Sequence, residues 1–279
     1  MIYTSRRLKA LVRNKSNGDN AKAMTLIRNF VMERFLERVS LSKYSDKLIL
    51  KGGLLIASMV GLDNRATMDM DTTIRNYNLS TDYAEKMIMD IVAIHLNDGL
   101  QFVFKSIGGI MDEAEYPGIR LKLEATLDTM KIPLKIDIST DDVITPKEVN
   151  YEYKLMFEER SIPVLAYNLE TVLAEKMETV ISRGILNTRM RDYYDLMILF
   201  VVKSEAVNYA DLTKALEATS RKRRSYELLL NSEHILEQIM SDVGLRGQWG
   251  IYQRKYDYAA DYTWEDIVRN IEQIFEKLM

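Results

Sequence analysis

The spacing of apolar residues changes along the chain, and that change limits the fold more than any other feature. Before residue 140, segments whose apolar positions recur every second residue are interspersed with helical ones. Ile119–Leu127 alternates strictly, and Gln101–Ile107 and Ile132–Ser139 are further strand candidates. Two shorter strands are expected at Lys47–Leu50 and Met68–Ile74. Pro133 suits the start of an edge strand, because it brings no backbone N–H. An amphipathic helix is expected over 20–38, where Met24, Ile27, Val31, Phe35 and Val39 repeat at three and four, and further helices over 54–60 and over 81–96 behind a Ser80 or Thr81 cap. From about residue 165 the spacing is helical throughout. Asn168 caps a helix running through Ser182, and more helices are expected over 187–203, 208–219, 225–242 and 262–278. Gly-rich 244–250 is expected to be a loop. The fold class is therefore α+β, with a strand-containing domain over 1–160 and an all-helical domain over 161–279. A length of 279 residues fits two domains of about 150 each.

Composition removes several chemistries. With no cysteine there is no disulfide, thiolate nucleophile or Cys-ligated metal. The two histidines, His95 and His234, are far apart and read as packing and surface residues. No apolar run spans a membrane and no signal-type h-region is visible, so a cytoplasmic protein is expected. The net charge of -3 hides an asymmetry. Residues 1–51 hold 12 Lys/Arg and 4 Asp/Glu, a net of +8, and a second basic run lies at Arg221–Arg224. Such segments can follow a phosphate backbone.

The acidic residues carry the chemistry. Asp69 and Asp71 stand two apart, so on a strand both point to one face and repel unless a cation lies between them. Lys135 and Asp137 repeat this spacing. Pairing the two strands would gather Asp69, Asp71 and Asp137 into a hard-cation site, for Mg²⁺ or Mn²⁺. Upstream, Gly52-Gly53 sits between an apolar strand and an apolar helix, where bare backbone can approach a phosphate. Arg65 and Thr67 are candidate phosphate contacts. In the helical half, Lys176 is a candidate point charge for a triphosphate. Asp192 and Asp195, three apart on one helical face, could orient it or accept a proton, with Asp192 favoured. Trp249, Tyr252, Tyr256 and Tyr258 read as packing for the last helices, or as a surface on which bases stack.

Three stretches, LKGGLLIASMVGLDNRATMDMD (50–71), LKIDIS (134–139) and AEKMETVISRGILNTRMRDYYDL (174–196), resemble the AbiEii/AbiGii nucleotidyltransferase toxins of type IV toxin–antitoxin (abortive infection, phage defence) pairs, within the DNA polymerase β-like superfamily. The resemblance implies a nucleotidyltransferase-fold mixed sheet with flanking helices, followed by a helical domain completing the cleft. It implies that Gly52 and Gly53 open the first motif. Asp69 and Asp71 would be its metal carboxylates, Lys135 and Asp137 the second motif, Lys176 the essential lysine, and Asp192 or Asp195 the essential helical aspartate. The superfamily signature has Gly-Ser and a shorter spacer. Here Gly53 replaces the serine and Asp69 follows sixteen residues later. The implied activity is Mg²⁺-dependent transfer of a nucleotide from an NTP to RNA, at the 3′ end of tRNA, blocking translation. A separately encoded antitoxin, a DNA-binding repressor, is the implied partner. The alternatives are transfer to a protein hydroxyl or small molecule, and a GTP-binding module without transfer.

Overall fold

The structure, a computed structural model, describes residues 2–75, 79–110 and 118–278. It divides into two compact units. One comprises Met1–Ser58, Ala66–Asp142 and Val149–Ala166; the other comprises Met59–Arg65, Val143–Glu148 and Tyr167–Met279.

The chain begins with α1 (Ser5–Ser16) and α2 (Asn20–Leu41), then β1 (Leu48–Lys51), α3 (Gly52–Val60), β2 (Met70–Ile74) and α4 (Thr81–Val92). The long strands β3 (Leu100–Ile110), β4 (Gly118–Leu127) and β5 (Met130–Thr140) follow, and then β6 (Val149–Lys154) and β7 (Ser161–Ala166). The seven strands form one mixed sheet in the order β3-β4-β5-β2-β1-β7-β6. β2–β5 and β1–β7 are parallel; the other pairs are antiparallel. Alternation sets the core face: Leu121, Leu123, Leu134, Ile136 and Ile138 are each at most 2% exposed. Burying each such side chain contributes about 1.5–3 kcal/mol. Helix α2 packs against β5 and β7.

Three expectations need correction here. β5 lies inside the sheet rather than at its edge. Pro133 is accommodated because β2 runs beside β5 only from Ile136 onward, leaving Pro133 a strand on one side alone. Strands β6 and β7 were not expected. Both are six residues long, and Lys, Glu and Pro interrupt their pattern. Finally, α2 is a helix but not an amphipathic one, since nearly every side chain from Leu26 to Val39 is buried. Arg34, Glu37 and Arg38 are accommodated there because they are paired. Arg38 donates to both oxygens of Asp98 at 2.7 and 2.9 Å. Arg34 lies 2.9 Å from Glu37, and Arg160 donates to Glu37 at 2.6 and 3.1 Å.

The second unit contains α5 (Leu169–Arg183), α6 (Met190–Lys203), α7 (Tyr209–Lys222), α8 (Tyr226–Leu229), α9 (Ser232–Ser241), α10 (Val243–Lys255) and α11 (Trp264–Glu276). Asn168 caps α5, accepting from Thr171 N at 2.7 Å while its amide donates to the carbonyls of Thr145 and Lys147. The expected helix over 225–242 is broken into α8 and α9. The expected loop at 244–250 is helix α10. Asp242 caps it, and Leu245, Trp249 and Tyr252 bury one face at helical spacing, outweighing the three glycines.

Candidate active site

The solvent-facing side of the sheet carries a row of four charges across four strands. Directly opposed residues share a face. Lys51 of β1 is opposite Asp71 of β2, Asp71 is opposite Asp137 of β5, and Asp137 is opposite Arg120 of β4. Two adjacent carboxylates are thus flanked by a cation on each side. Arg120 grips Asp137 through two parallel bonds, Nε to Oδ1 at 2.9 Å and Nη2 to Oδ2 at 2.8 Å. Lys51 reaches past Asp71 to Asp142 at 2.5 Å, and Ser139 donates to that same carboxylate at 2.7 Å. Asp71 lies against the turn into α3. Gly52 has φ +65°, and a Cβ there would run into the Asp71 carboxylate, while Gly53 N approaches Asp71 Oδ2 at 3.4 Å.

Asp69 departs from the expected arrangement. It precedes β2 rather than lying on it, and Lys135 holds its carboxylate at 2.6 Å. Asp71 and Asp137 are therefore brought together, and Asp69 is drawn to the lysine instead. Among the described residues no group of three His, Cys, Asp or Glu is placed to hold a metal ion. Asp71 and Asp137, side by side in register and part-exposed, are the carboxylates that suit a hard cation, with Asp137 held by Arg120. Thr67 is only 4% exposed, and its hydroxyl donates to the Asp69 carbonyl at 3.3 Å. It shapes the approach to β2 rather than presenting a hydroxyl to phosphate.

The second unit holds a separate buried charge cluster. Lys176 of α5 lies 2.5 Å from Asp192 and 3.0 Å from Asp195, both on α6. Asp195 also accepts from Arg65 Nε at 2.5 Å and Nη2 at 3.1 Å. Arg65 and Asp195 are each at most 1% exposed. Arg65, a candidate phosphate contact, is buried with its guanidinium on Asp195, which it positions. Burial would lower the Lys176 ammonium, but Asp192 and Asp195 outweigh it and hold the pKa above its usual value. Burial would likewise raise the Asp195 carboxyl, but Arg65 and Lys176 pull it below the usual range. The cluster therefore keeps Lys176 charged and Asp195 ionised. Asp192 differs from Asp195 in its second oxygen. Arg189 Nε lies 2.9 Å from Oδ2, yet that oxygen receives no aligned hydrogen bond.

The family described as "Nucleotidyl transferase AbiEii toxin, Type IV TA system" matches residues 34–274. The chain belongs to this family. As an AbiEii member it is a nucleotidyltransferase, and a toxin of the type IV kind has a separate antitoxin as its counterpart. No curated protein matches it. Among solved structures, JHP933 from Helicobacter pylori is 18% identical, with a TM-score of 0.50 over 91% of this chain and 93% of that one. An antigenic nucleotidyltransferase-like protein from Paracoccidioides brasiliensis is 14% identical, with a TM-score of 0.40 over 74% of this chain and 93% of the other. The JHP933 likeness agrees with the AbiEii fold, a mixed sheet with flanking helices and a helical C-terminal region. No helix among the described residues is long and apolar enough to cross a membrane.

Arg120 and Lys51 are the members of the charged row that sequence reasoning missed. Arg120 could have been found by closing the β4–β5 hairpin about Asp128-Thr129. Leu127 then faces Met130, and counting back places Arg120 opposite Asp137. Lys51 offered no such signal, because its partner Asp142 lies beyond the end of β5.

Proposed function

We propose that this AbiEii protein transfers a nucleotide from an NTP to RNA, at the 3′ end of tRNA, in a Mg²⁺-dependent reaction that blocks translation. The observation that carries the reading is the adjacency of Asp71 and Asp137 in register, beside the Gly52-Gly53 turn, in a chain of this family. Asp71 and Asp137 are the residues that would hold the cation, with Asp69 joining them on release from Lys135. A bound divalent cation would neutralise triphosphate charge and acidify the acceptor hydroxyl. Asp137 orients that hydroxyl and is itself held by Arg120. The Gly52-Gly53 turn offers backbone N–H groups to phosphate, and Lys135, freed from Asp69, adds a positive charge. Lys176, kept protonated by Asp192 and Asp195, is assigned to the charge that develops on the phosphates. The exposed cations of α1, Arg6, Arg7, Lys9 and Arg13, give an RNA backbone a positive surface.

The test supplies each labelled NTP with Mg²⁺ to a mixture of total RNA and total protein, then sequences the 3′ ends of labelled RNA. Label is expected in tRNA, and Asp71→Asn and Asp137→Asn are each expected to abolish it. Label confined to protein would sink the RNA acceptor. Transfer that survives in Asp71→Asn would remove Asp71 from the metal site.

A further inference from the structure

The second unit has an open cavity of about 330 Å³ where the start of α6 meets the last two turns of α10. Three cations line it, Arg189, Arg191 and Lys255, and none of its lining residues is acidic. Among the described residues, Arg189 alone of the three leans on a carboxylate, the buried Asp192. Arg191 and Lys255 are exposed.

The rest of the wall is aromatic and apolar. Tyr252 is almost completely buried and fixes the floor, while Tyr256 is half-buried and Ile251 is 53% exposed. Tyr256 is backed by other rings. Its centroid is 4.7 Å from Tyr252 and 5.3 Å from Tyr258, the latter nearly parallel. A ring held in this way loses little freedom when a flat ligand packs on it. Lys255 Nζ lies 5.3 Å from the Tyr256 ring centroid. Burial would raise the Tyr256 phenol, but Arg191 and then Lys255 bring it below its ordinary value. Phosphate-binding cations beside a rigid aromatic surface are what a single-stranded nucleic acid needs. The cations follow the backbone and the ring stacks on a base whatever its identity.

We propose that Arg191, Lys255 and Tyr256 form a binding site for single-stranded RNA, in which a base stacks on Tyr256 and the adjoining phosphates lie on the two cations. The site names a contact for the acceptor, and it rests on the reading above that the acceptor is RNA. None of its residues belongs to the transfer machinery.

The probe is a fluorescein-labelled oligouridylate of about ten nucleotides, the span of a small single-strand site. Its binding to the full chain is read by anisotropy without NTP or Mg²⁺, so the result does not depend on transfer. The double variant Arg191→Ala/Lys255→Ala is expected to bind about tenfold more weakly or worse, with the salt dependence of log Kd reduced by about 1.4. Tyr256→Ala is expected to lose about fivefold or more, and Tyr256→Phe to bind as the parent does. Arg246→Ala removes one cation from an exposed part of the same helix and is expected to change binding less than about twofold. Circular dichroism melts confirm that each variant is folded. Parental binding by the double variant overturns the proposal. So does an equal loss in Arg246→Ala, which would reduce the effect to overall charge. Intact RNA binding in a chain that labels only protein would sink the transfer reading and leave this site standing.

Discussion

Adding one methyl group at position 52 tests how closely the acidic face is built. Gly52 has φ +65°, which costs a residue with a side chain about 1–2 kcal/mol, and its missing Cβ is the space that Asp71 fills. Gly52→Ala is expected to lower the melting temperature and to displace Asp71, so that nucleotide incorporation falls further than stability does. A parental rate would show that Asp71 need not lie against the turn. Glu33 gives a prediction in pH. Burial pushes its carboxyl up to about 8, against the neighbouring Arg34 and the hydrogen bond from Met156. The folded chain therefore holds a proton that the unfolded chain releases near pH 4.5. Glu33 favours folding below that pH, and the contribution is lost as pH rises to about 8, by up to about 1.4 kcal/mol per pH unit. Glu33→Gln is expected to flatten urea-measured stability between those limits; an unchanged slope would place the titration elsewhere. Strand parity put Asp69 and Asp71 on one face, and an expected pairing of their strand with the 132–139 strand added Asp137. It could not show Arg120 or Lys51, whose positions depend on which strands pair. Nor could it show that Asp69 falls outside β2.

Local signals were readable wherever one short stretch decides the structure. The β4–β5 hairpin follows from alternation on both sides of a two-residue turn, and the start of α5 from the asparagine before it. Asn168 also binds the carbonyls of Thr145 and Lys147, so it secures a segment more than twenty residues earlier. Asn168→Ala should therefore cost more than an ordinary cap, about 2 kcal/mol. Thr263→Ala, which opens the exposed capping box of α11, should cost about 1 kcal/mol. Denaturant titration of the two variants compares them directly, and equal losses would mean that the carbonyl bonds of Asn168 add nothing. Where contacts distant in sequence decide, the reading failed. Helix α10 forms because Leu245, Trp249 and Tyr252 find buried partners, whereas its glycines suggest a loop. The charged residues of α2 suggest a solvated face, whereas Asp98, Glu158 and Arg160 neutralise them in the interior.

The basic flank of residues 1–51 changes meaning once burial is known. Arg34 and Arg38 belong to internal ion pairs, so the charge left at the surface lies mainly on α1. The two units are also not two consecutive lengths of chain, because Met59–Arg65 and Val143–Glu148 belong with Tyr167–Met279. No single cut separates them. A fragment ending at Ala166 keeps Arg65 but loses Asp195, which takes two hydrogen bonds from its guanidinium. It also loses Tyr194, whose hydroxyl donates to the Asn64 carbonyl at 2.6 Å. Removing one partner of a buried ion pair costs about 3–5 kcal/mol, a large share of a domain's stability of about 5–15 kcal/mol. The 1–166 fragment is therefore expected to melt without a sharp transition and to elute as aggregate in size-exclusion chromatography, although it contains the whole sheet. A monomeric fragment with a cooperative melt would show that residues 59–65 hold their structure without the helices that follow Ala166.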